Sequence, residues 1–296
     1  MEIRVLKYFL AVAREENITR AAQLLHVTQP TLSRQIMQME EELGVKLFTR
    51  SKHNIVLTED GMLLKRRAQE LIALADKTKR DFIREEEKLS GEITIGSGEF
   101  RSTRIFSQIM AAFQEKHPLV SYRIYSGNAD NIKDQIERGL LDIGVMGGPT
   151  DIQKYNFVPM PVKERWGVLT RLDSGLAEKE KITPEDLEGI PLITTSREYV
   201  QNDLANWLGG AYGQMHIAAS GNLLYNEAMM AESGIGTVIC IKLDCIYENL
   251  RFIPLYPPVE TVTALVWKKD QVFSPTTAAF IEYASQYLKG ISNDKI

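Results

Sequence analysis

The chain has 296 residues, of which 44% are hydrophobic and 25% charged, the make-up of an ordinary soluble protein with room for two or three domains. It contains no run of 18 apolar residues, which excludes a transmembrane helix, and its start, Met1-Glu2-Ile3-Arg4, lacks a signal-peptide apolar core, so a cytoplasmic protein without membrane partners is expected. The net charge of −4 is unevenly spread: residues 1–58 hold eight Lys/Arg against six Asp/Glu, a local +2, and the remainder carries −6.

Residues 3–16 read as an amphipathic helix with Leu6, Phe9, Leu10 and Ala13 on its buried stripe. Thr19 is a candidate N-cap for a second helix carrying Ala21, Ala22, Leu24 and Leu25. The pattern breaks at His26-Val27, where Gly or Asn would take a left-handed conformation more easily. Thr28 is the next N-cap, and Pro30 falls in the first turn, where its missing N–H costs nothing. Leu32, Ile36, Met39 and Leu43 form the buried face of this third helix, opposite Gln29, Thr31, Ser33, Arg34 and Gln35. Two short helices joined by a tight turn form a helix-turn-helix, whose second helix enters the major groove. Arg suits guanine and Gln suits adenine there, although an ordinary helical hairpin with a solvated polar face fits the spacing equally well. Gly44 is a C-terminal cap. The segment 45–57 has apolar anchors at Leu47, Phe48, Ile55 and Val56 around the polar tip Arg50-Ser51-Lys52-His53-Asn54, as in two strands of a wing or in a charged surface loop.

The stretch from Ala21 to Arg50, AAQLLHVTQPTLSRQIMQMEEELGVKLFTR, resembles the DNA-binding signature of the LysR-type transcriptional regulators. The resemblance covers the Ala21-Ala22 pair, QPTLS from Gln29 to Ser33, the turn from Glu42 to Gly44, the positions Leu47, Phe48 and Arg50, and LTE.G from Leu57 to Gly61. It implies a winged helix-turn-helix over 1–58 that binds double-stranded promoter or operator DNA through Thr28, Gln29, Pro30, Thr31, Ser33, Arg34 and Gln35, with Arg50 and Lys52 near phosphates or the minor groove. Local charge sets affinity for phosphate. A headpiece at only +2 should bind weakly alone, so an assembly is expected.

Residues 59–89 are expected to form a long linker helix. Leu64, Ala68, Leu71, Ala75, Thr78 and Phe82 are spaced alternately by four and three, an a/d seam that needs either a second subunit or the chain's own domains to cover it. The resemblance implies dimerisation through Leu64, Ala68, Leu71, Ala75 and Phe82, and a tetramer built from two such dimers. Lys65-Arg66-Arg67 and Glu85-Glu86-Glu87 read as solvated.

Ser90-Gly91 breaks the helix. From there to 296, strands and helices alternate, which predicts an α/β module with a largely parallel sheet. Two units are legible, lobe I over 91–161 and 268–296 and lobe II over 162–267. They resemble the family's effector-binding region, whose bilobal fold is like that of periplasmic solute-binding proteins; GLLDIGV (Gly139 to Val145) and GIGTVI (Gly234 to Ile239) fit it less specifically. The fold class is thus α/β: a winged helix-turn-helix, a linker helix and a bilobal effector-binding module. Ligands of open α/β sheets sit beyond the carboxyl ends of strands. That points to Ser97, Gly98, Ser102 and Thr103, to Asn128 and Gly147, and to Thr194, Thr195 and Ser196, with Thr195 and Glu198 as a capping box. Free N–H groups at helix starts favour an anion such as a small organic acid, with Arg101 and Arg104 adding charge and Glu99 and Glu198 opposing it. Ordinary strand-to-helix connections are equally rich in Ser, Thr and Gly.

No nucleophile–base pair, P-loop, or Cys/His cluster is legible, so an enzyme, a metal site or a cofactor is not expected; His117 and His216 read as structural. Cys240 and Cys245 make no disulfide framework, and Cys240 sits in the apolar run TVICI. The sequence therefore reads as a DNA-binding regulator controlled by a small-molecule effector between two lobes, with RNA polymerase as a further partner. A ligand-free architectural protein or a redox sensor using the two cysteines is the alternative.

Overall fold

A computed structural model describes residues 1–50, 55–81, 89–148, 154–197, 204–209 and 215–293. The chain divides into two compact units, 1–82 and 83–296.

The first unit holds helices α1 (Ile3–Glu15), α2 (Ile18–Leu24) and α3 (Gln29–Leu43), the antiparallel strands β1 (Phe48–Arg50) and β2 (Ile55–Leu57), and helix α4 (Glu59–Asp81). Leu6, Phe9 and Val12 of α1 meet Ala21 and Ala22 of α2 and Leu32, Ile36 and Met39 of α3 in one core closed by Leu47. The two alanines admit close helix approach because they carry almost no side chain. Asn17, not Thr19, caps α2, its side-chain oxygen accepting the Arg20 N–H at 3.0 Å. Thr28 caps α3 as expected, its Oγ1 accepting the Thr31 N–H and lying 2.7 Å from the Thr31 hydroxyl. The turn between α2 and α3 is made by His26 at φ +54°, and Gly44 ends α3 at φ +70°. Leu43, expected to be buried, is 40% exposed. Near this end of α3 the Met1 ammonium pairs with Glu42 at 2.6 Å.

A buried carboxylate fastens the wing to α3. Glu40 Oε1 accepts the N–H groups of Leu47 and Phe48 at 2.9 and 3.3 Å, and Oε2 takes the Lys46 ammonium at 2.7 Å. Burial alone would raise its pKa, but Lys46 and the two backbone donors outweigh this and hold the carboxyl below its usual range. The Thr58 hydroxyl donates to the Lys46 carbonyl and accepts the Gly61 N–H at 2.9 Å, which starts α4. Position 61 has to be glycine, since a Cβ there would lie 2.1 Å from the Leu47 carbonyl oxygen.

The first turns of α4 belong to this core. Ala68 is fully buried in it, and Leu64 and Ile72 pack against it. Leu64 and Ala68 therefore face their own headpiece and not a partner, because a 3.5-residue spacing does not say which surface covers the seam. Leu71 remains exposed together with Met62, Leu63 and Leu74, Ala75 is half-buried, and Phe82 lies outside the described residues.

The second unit is built on a nine-stranded sheet in the order β4-β3-β5-β11-β6-β9-β7-β8, with β10 added beside β6. Its elements are β3 (Gly91–Ser97), α5 (Thr103–Lys116), β4 (Val120–Ser126), α6 (Ala129–Glu137), β5 (Ile143–Gly147), β6 (Tyr155–Arg171), β7 (Pro191–Thr195), β8 (His216–Gly221), α7 (Leu224–Glu232), β9 (Thr237–Ile241), β10 (Leu250–Pro254), β11 (Glu260–Lys268) and α8 (Pro275–Asn293). The sheet is mixed, not largely parallel. β3 is parallel to β4 and β5, and β7 to β8 and β9, whereas β11 is antiparallel to β5 and β6, and β6 to β9 and β10. The antiparallel ladders arise where the chain passes between lobes as strands, with no crossover helix to make it parallel. Residues 263–267, read from the sequence as lobe II, pair with Gly147 to Ile143 of β5 and so belong to lobe I. β6 begins at Tyr155, well before the strand read at 166–170, and α7 was not anticipated.

In lobe I, Phe106, Ile109 and Phe113 of α5 and Phe280, Ala284 and Leu288 of α8 cover Ile93, Ile95, Ile143 and Val145. Phe280 meets Phe113 edge-on at 5.2 Å. Ile132 and Ile136 of α6 pack the other face. In lobe II, α7 places Ala228 and Ala231 on Leu169, Ile193 and Val238. Asp142, in the GLLDIGV segment, accepts the Thr94 N–H and hydroxyl at 2.8 and 2.7 Å, which joins β5 to β3.

Replacing Glu40 by Ala should destabilise the first unit by about 2 kcal/mol, since two buried N–H donors and a lysine lose their acceptor. Loss of amide protection at Leu47 and Phe48 in hydrogen exchange reads this directly. Because the folded pKa of Glu40 is depressed, its contribution should be present at neutral pH and disappear as pH falls through that lowered value.

Candidate functional site

Within the first unit, the start of α3 presents Thr28, Gln29, Pro30, Thr31 and Arg34 to solvent, while Ser33 and Gln35 are half-buried. Leu32, Ile36 and Met39 anchor the opposite face, so the polar side chains are held on a rigid helix. No carboxylate pairs with Arg34 among the described residues. Gln35 lines a hollow with Met1, Arg4 and Glu42, on the α1 side of the helix. Arg50 ends β1; Lys52 lies outside the described residues.

Within the second unit, a cleft of about 440 Å³ opens between the two lobes. Four of the loop residues read from the sequence line it: Gly98, Asn128, Gly147 and Thr195. Thr194 is buried within β7, because neighbours on a strand point to opposite faces and Thr195 takes the cleft side. Ser196 is exposed, its N–H donated to the Gly221 carbonyl at 2.8 Å. Ser102 is wholly buried, its N–H given to Glu164 and its hydroxyl accepting from Thr263 at 2.9 Å. Ser97 and Thr103 line a separate shallow groove instead; the Ser97 hydroxyl donates to the Gly98 carbonyl, and the Thr103 hydroxyl has no partner among the described residues.

At the starts of α5, α6 and α7 the chain's own side chains take the free N–H groups; the segment that follows Arg197, with Glu198, lies outside the described residues. Glu164, fully buried on β6, accepts the N–H groups of Arg101 and Ser102 at 3.1 and 3.0 Å, ahead of α5. Asn128 Oδ1 accepts from Asp130 and Asn131 at the start of α6. Glu99 accepts the Leu224 N–H at 2.5 Å at the start of α7. Arg101 and Arg104 do not line the cleft, as their side chains turn to Asp244 at 2.9 and 3.5 Å. Among the described residues the cation lining the cleft is Arg197, which sequence reading did not select; it pairs with Asp130 at 3.2 Å and donates to the Gly147 carbonyl.

Also missed were Phe100, Trp166 and Glu227. Trp166 is fixed by its Nε1–H donated to the Thr261 hydroxyl at 2.8 Å. Glu227 is only 5% exposed, yet lines the cleft from α7. Burial, and then the neighbouring Glu99 charge, push its pKa up to about 7. No signal pointed to it, because the Leu and Met residues of α7 leave no clear helical stripe. Cys240 also lines the cleft, but burial above all, then the Glu227 and Cys245 charges, push its thiol up, so it stays protonated and a poor nucleophile. Cys245 is exposed and the two form no disulfide. His117 stacks beside Phe113 at 4.6 Å, and His216 is exposed on β8, so neither reaches the cleft. Among the described residues no group of His, Cys, Asp and Glu could hold a metal, and no helix is long and apolar enough to cross a membrane.

Residues 3–62 match the family model of the bacterial regulatory helix-turn-helix proteins of the lysR family, and residues 86–289 match that of the LysR substrate binding domain. The chain is 30% identical over 295 residues to the HTH-type transcriptional regulator YwbI of Bacillus subtilis (strain 168), covering 97% of each protein. It is 26% identical over 302 residues to the Hca operon transcriptional activator HcaR of Escherichia coli (strain K12), covering 99% of this chain and 100% of HcaR. Full-length CbnR, solved in complex with its target DNA, shares the fold at a TM-score of 0.76 and 20% identity, over 97% of this chain and 100% of CbnR. With a helix-turn-helix ahead of a substrate-binding module and a full-length relative at this identity, the chain belongs to the LysR family of bacterial transcriptional regulators.

Proposed function

We propose that this regulator reads promoter DNA with the start of α3 and is controlled by a small molecule held in the interlobe cleft. The observation that carries the first half is the exposed set Thr28, Gln29, Thr31 and Arg34 on a helix anchored from behind. Gln29 and Arg34 are the base readers, Thr28 and Thr31 contact phosphate at the positive helix end, and the wing with Arg50 and Lys52 adds backbone contacts. The second half rests on a cleft of about 440 Å³, within the size range of small-molecule sites. Effector binding would bias the angle between the lobes, and through the assembly the spacing of the headpieces on DNA and access of RNA polymerase.

The assembly is a dimer through α4, doubling to a tetramer. The exposed Leu63, Leu71 and Leu74 carry the dimer contact, in place of Leu64 and Ala68, which the headpiece core uses. Acting on DNA, the protein works in the cytoplasm. Its role is binding and not turnover, in keeping with a helix-turn-helix joined to a substrate-binding module. A redox role is not favoured, given the raised pKa of Cys240.

Gel-shift titration on DNA upstream of its own gene tests the reading face. Gln29→Ala with Arg34→Ala should weaken specific binding by about 1–3 kcal/mol per lost bidentate contact. Unchanged specific affinity removes the assignment. Sedimentation tests the α4 seam: Leu71→Asp with Leu74→Asp should yield folded monomers, whereas Ala68→Asp should unfold the headpiece. A thiol-alkylation time course should modify Cys245 rapidly and Cys240 only on unfolding.

A further inference from the structure

The chemistry of the cleft names the class of molecule it takes, an inference that rests on the cleft being the effector site. Glu227 is buried in the cleft wall, and no hydrogen bond or cation reaches its carboxyl group among the described residues. Such a group is costly unless something completes it. The charges facing it do not. Glu99, from the loop after β3, is a like charge already engaged with the Leu224 N–H, and Cys240 on β9 is a thiol. Cys245 and Tyr247 lie close to Cys240 and Glu99 and bring no cation. Arg197 is held by Asp130 and the Gly147 carbonyl, and Glu260 of β11 is held by Lys163 at 3.0 Å. Among the described residues, the starts of α5, α6 and α7 are capped by Glu164, Asn128 and Glu99. The uncharged wall combines apolar and aromatic Phe100, Trp166, Leu224, Ile239 and Val262 with the neutral polar side chains of Asn128, Thr195, Asn222 and Thr261.

We propose that the effector is an amphipathic cation, a protonated amine or amidine on an apolar or aromatic body, whose charged end is received by Glu227 and whose body lies against Phe100 and Trp166. The like-charged Glu99 strengthens the preference by making the pocket negative, and the aromatic side chains give the ligand's body an apolar surface. This reverses the expectation of a small organic acid drawn from the loops. Because Glu227 has a pKa near 7, it is partly protonated at neutral pH; the cation binds the ionised form, so binding expels a proton to solvent and tightens as pH rises from 6 to 8.

Full-length protein is titrated calorimetrically with 2-phenylethylamine and tryptamine, and with the matched acids 3-phenylpropanoate and indole-3-propanoate, at pH 6 and 8 and in buffers of different ionisation heat. The proposal expects the amines to bind with proton release, more tightly at pH 8, and to lose at least tenfold in affinity in Glu227→Gln. That variant should fold: the raised pKa means that ionised Glu227 costs stability increasingly as pH rises from its ordinary value towards 7, so Gln should match wild type in acid and equal or exceed its Tm at pH 8. Amine binding undiminished by Glu227→Gln overturns the proposal. Binding of the acids in place of the amines overturns the charge assignment and leaves the cleft as the effector site. Binding of neither series overturns the cation proposal, and loss of effector control of DNA binding by the cleft would then be judged separately by the gel-shift assay.

Discussion

Much of the second unit hangs on one fully buried carboxylate that pairs with no cation among the described residues. Glu164 sits on β6 where the strand passes between lobes, and the two backbone N–H groups ahead of α5 take its oxygens. An isolated carboxylate at that depth would be ruinous in a low-dielectric interior. Here consecutive amides and the positive end of a helix complete it, so the start of α5 is locked to the interlobe strand. Ser102 adds a second tie through Thr263 of β11. These hydrogen bonds hold the start of α5 against β6 and β11.

The headpiece repeats the device. Glu40 likewise accepts two consecutive amides, those of Leu47 and Phe48, and ties a reading helix to the strands behind it. In both units a carboxylate on a long regular element captures the backbone at the start of another element, the following strand β1 for Glu40 and the earlier helix α5 for Glu164. The difference is Lys46, which makes the Glu40 clamp an ion pair at the surface, whereas Glu164 relies on backbone alone.

The headpiece was the more legible half because its signals are local. Caps, Pro30, Gly44 and the Leu32/Ile36/Met39 stripe each lie within a turn or two of what they explain, and the family motif fixes their order. Thr19 failed only because Asn17 is an equally good cap two residues earlier. In the second unit the elements were legible and their pairing was not, since strand direction between β11, β5 and β6 depends on contacts distant in sequence. For the cleft, loop composition located Gly98, Asn128, Gly147 and Thr195. It could not distinguish Thr194 from Thr195 without the pleat, nor reveal that the helix starts were taken by side chains on remote strands and loops. Glu227, Phe100 and Trp166 carry no sequence mark, because their significance is purely that three segments converge.

The carboxylate that caps α7, Glu99, also brings negative charge to the cleft wall. The start of a helix and the charge of the cleft are therefore written into a single side chain. A change of Glu99 to a neutral residue would uncover the positive pole of α7 and remove a negative charge at one stroke. One substitution there would thus act on the stability of α7 and on the charge of the cleft together.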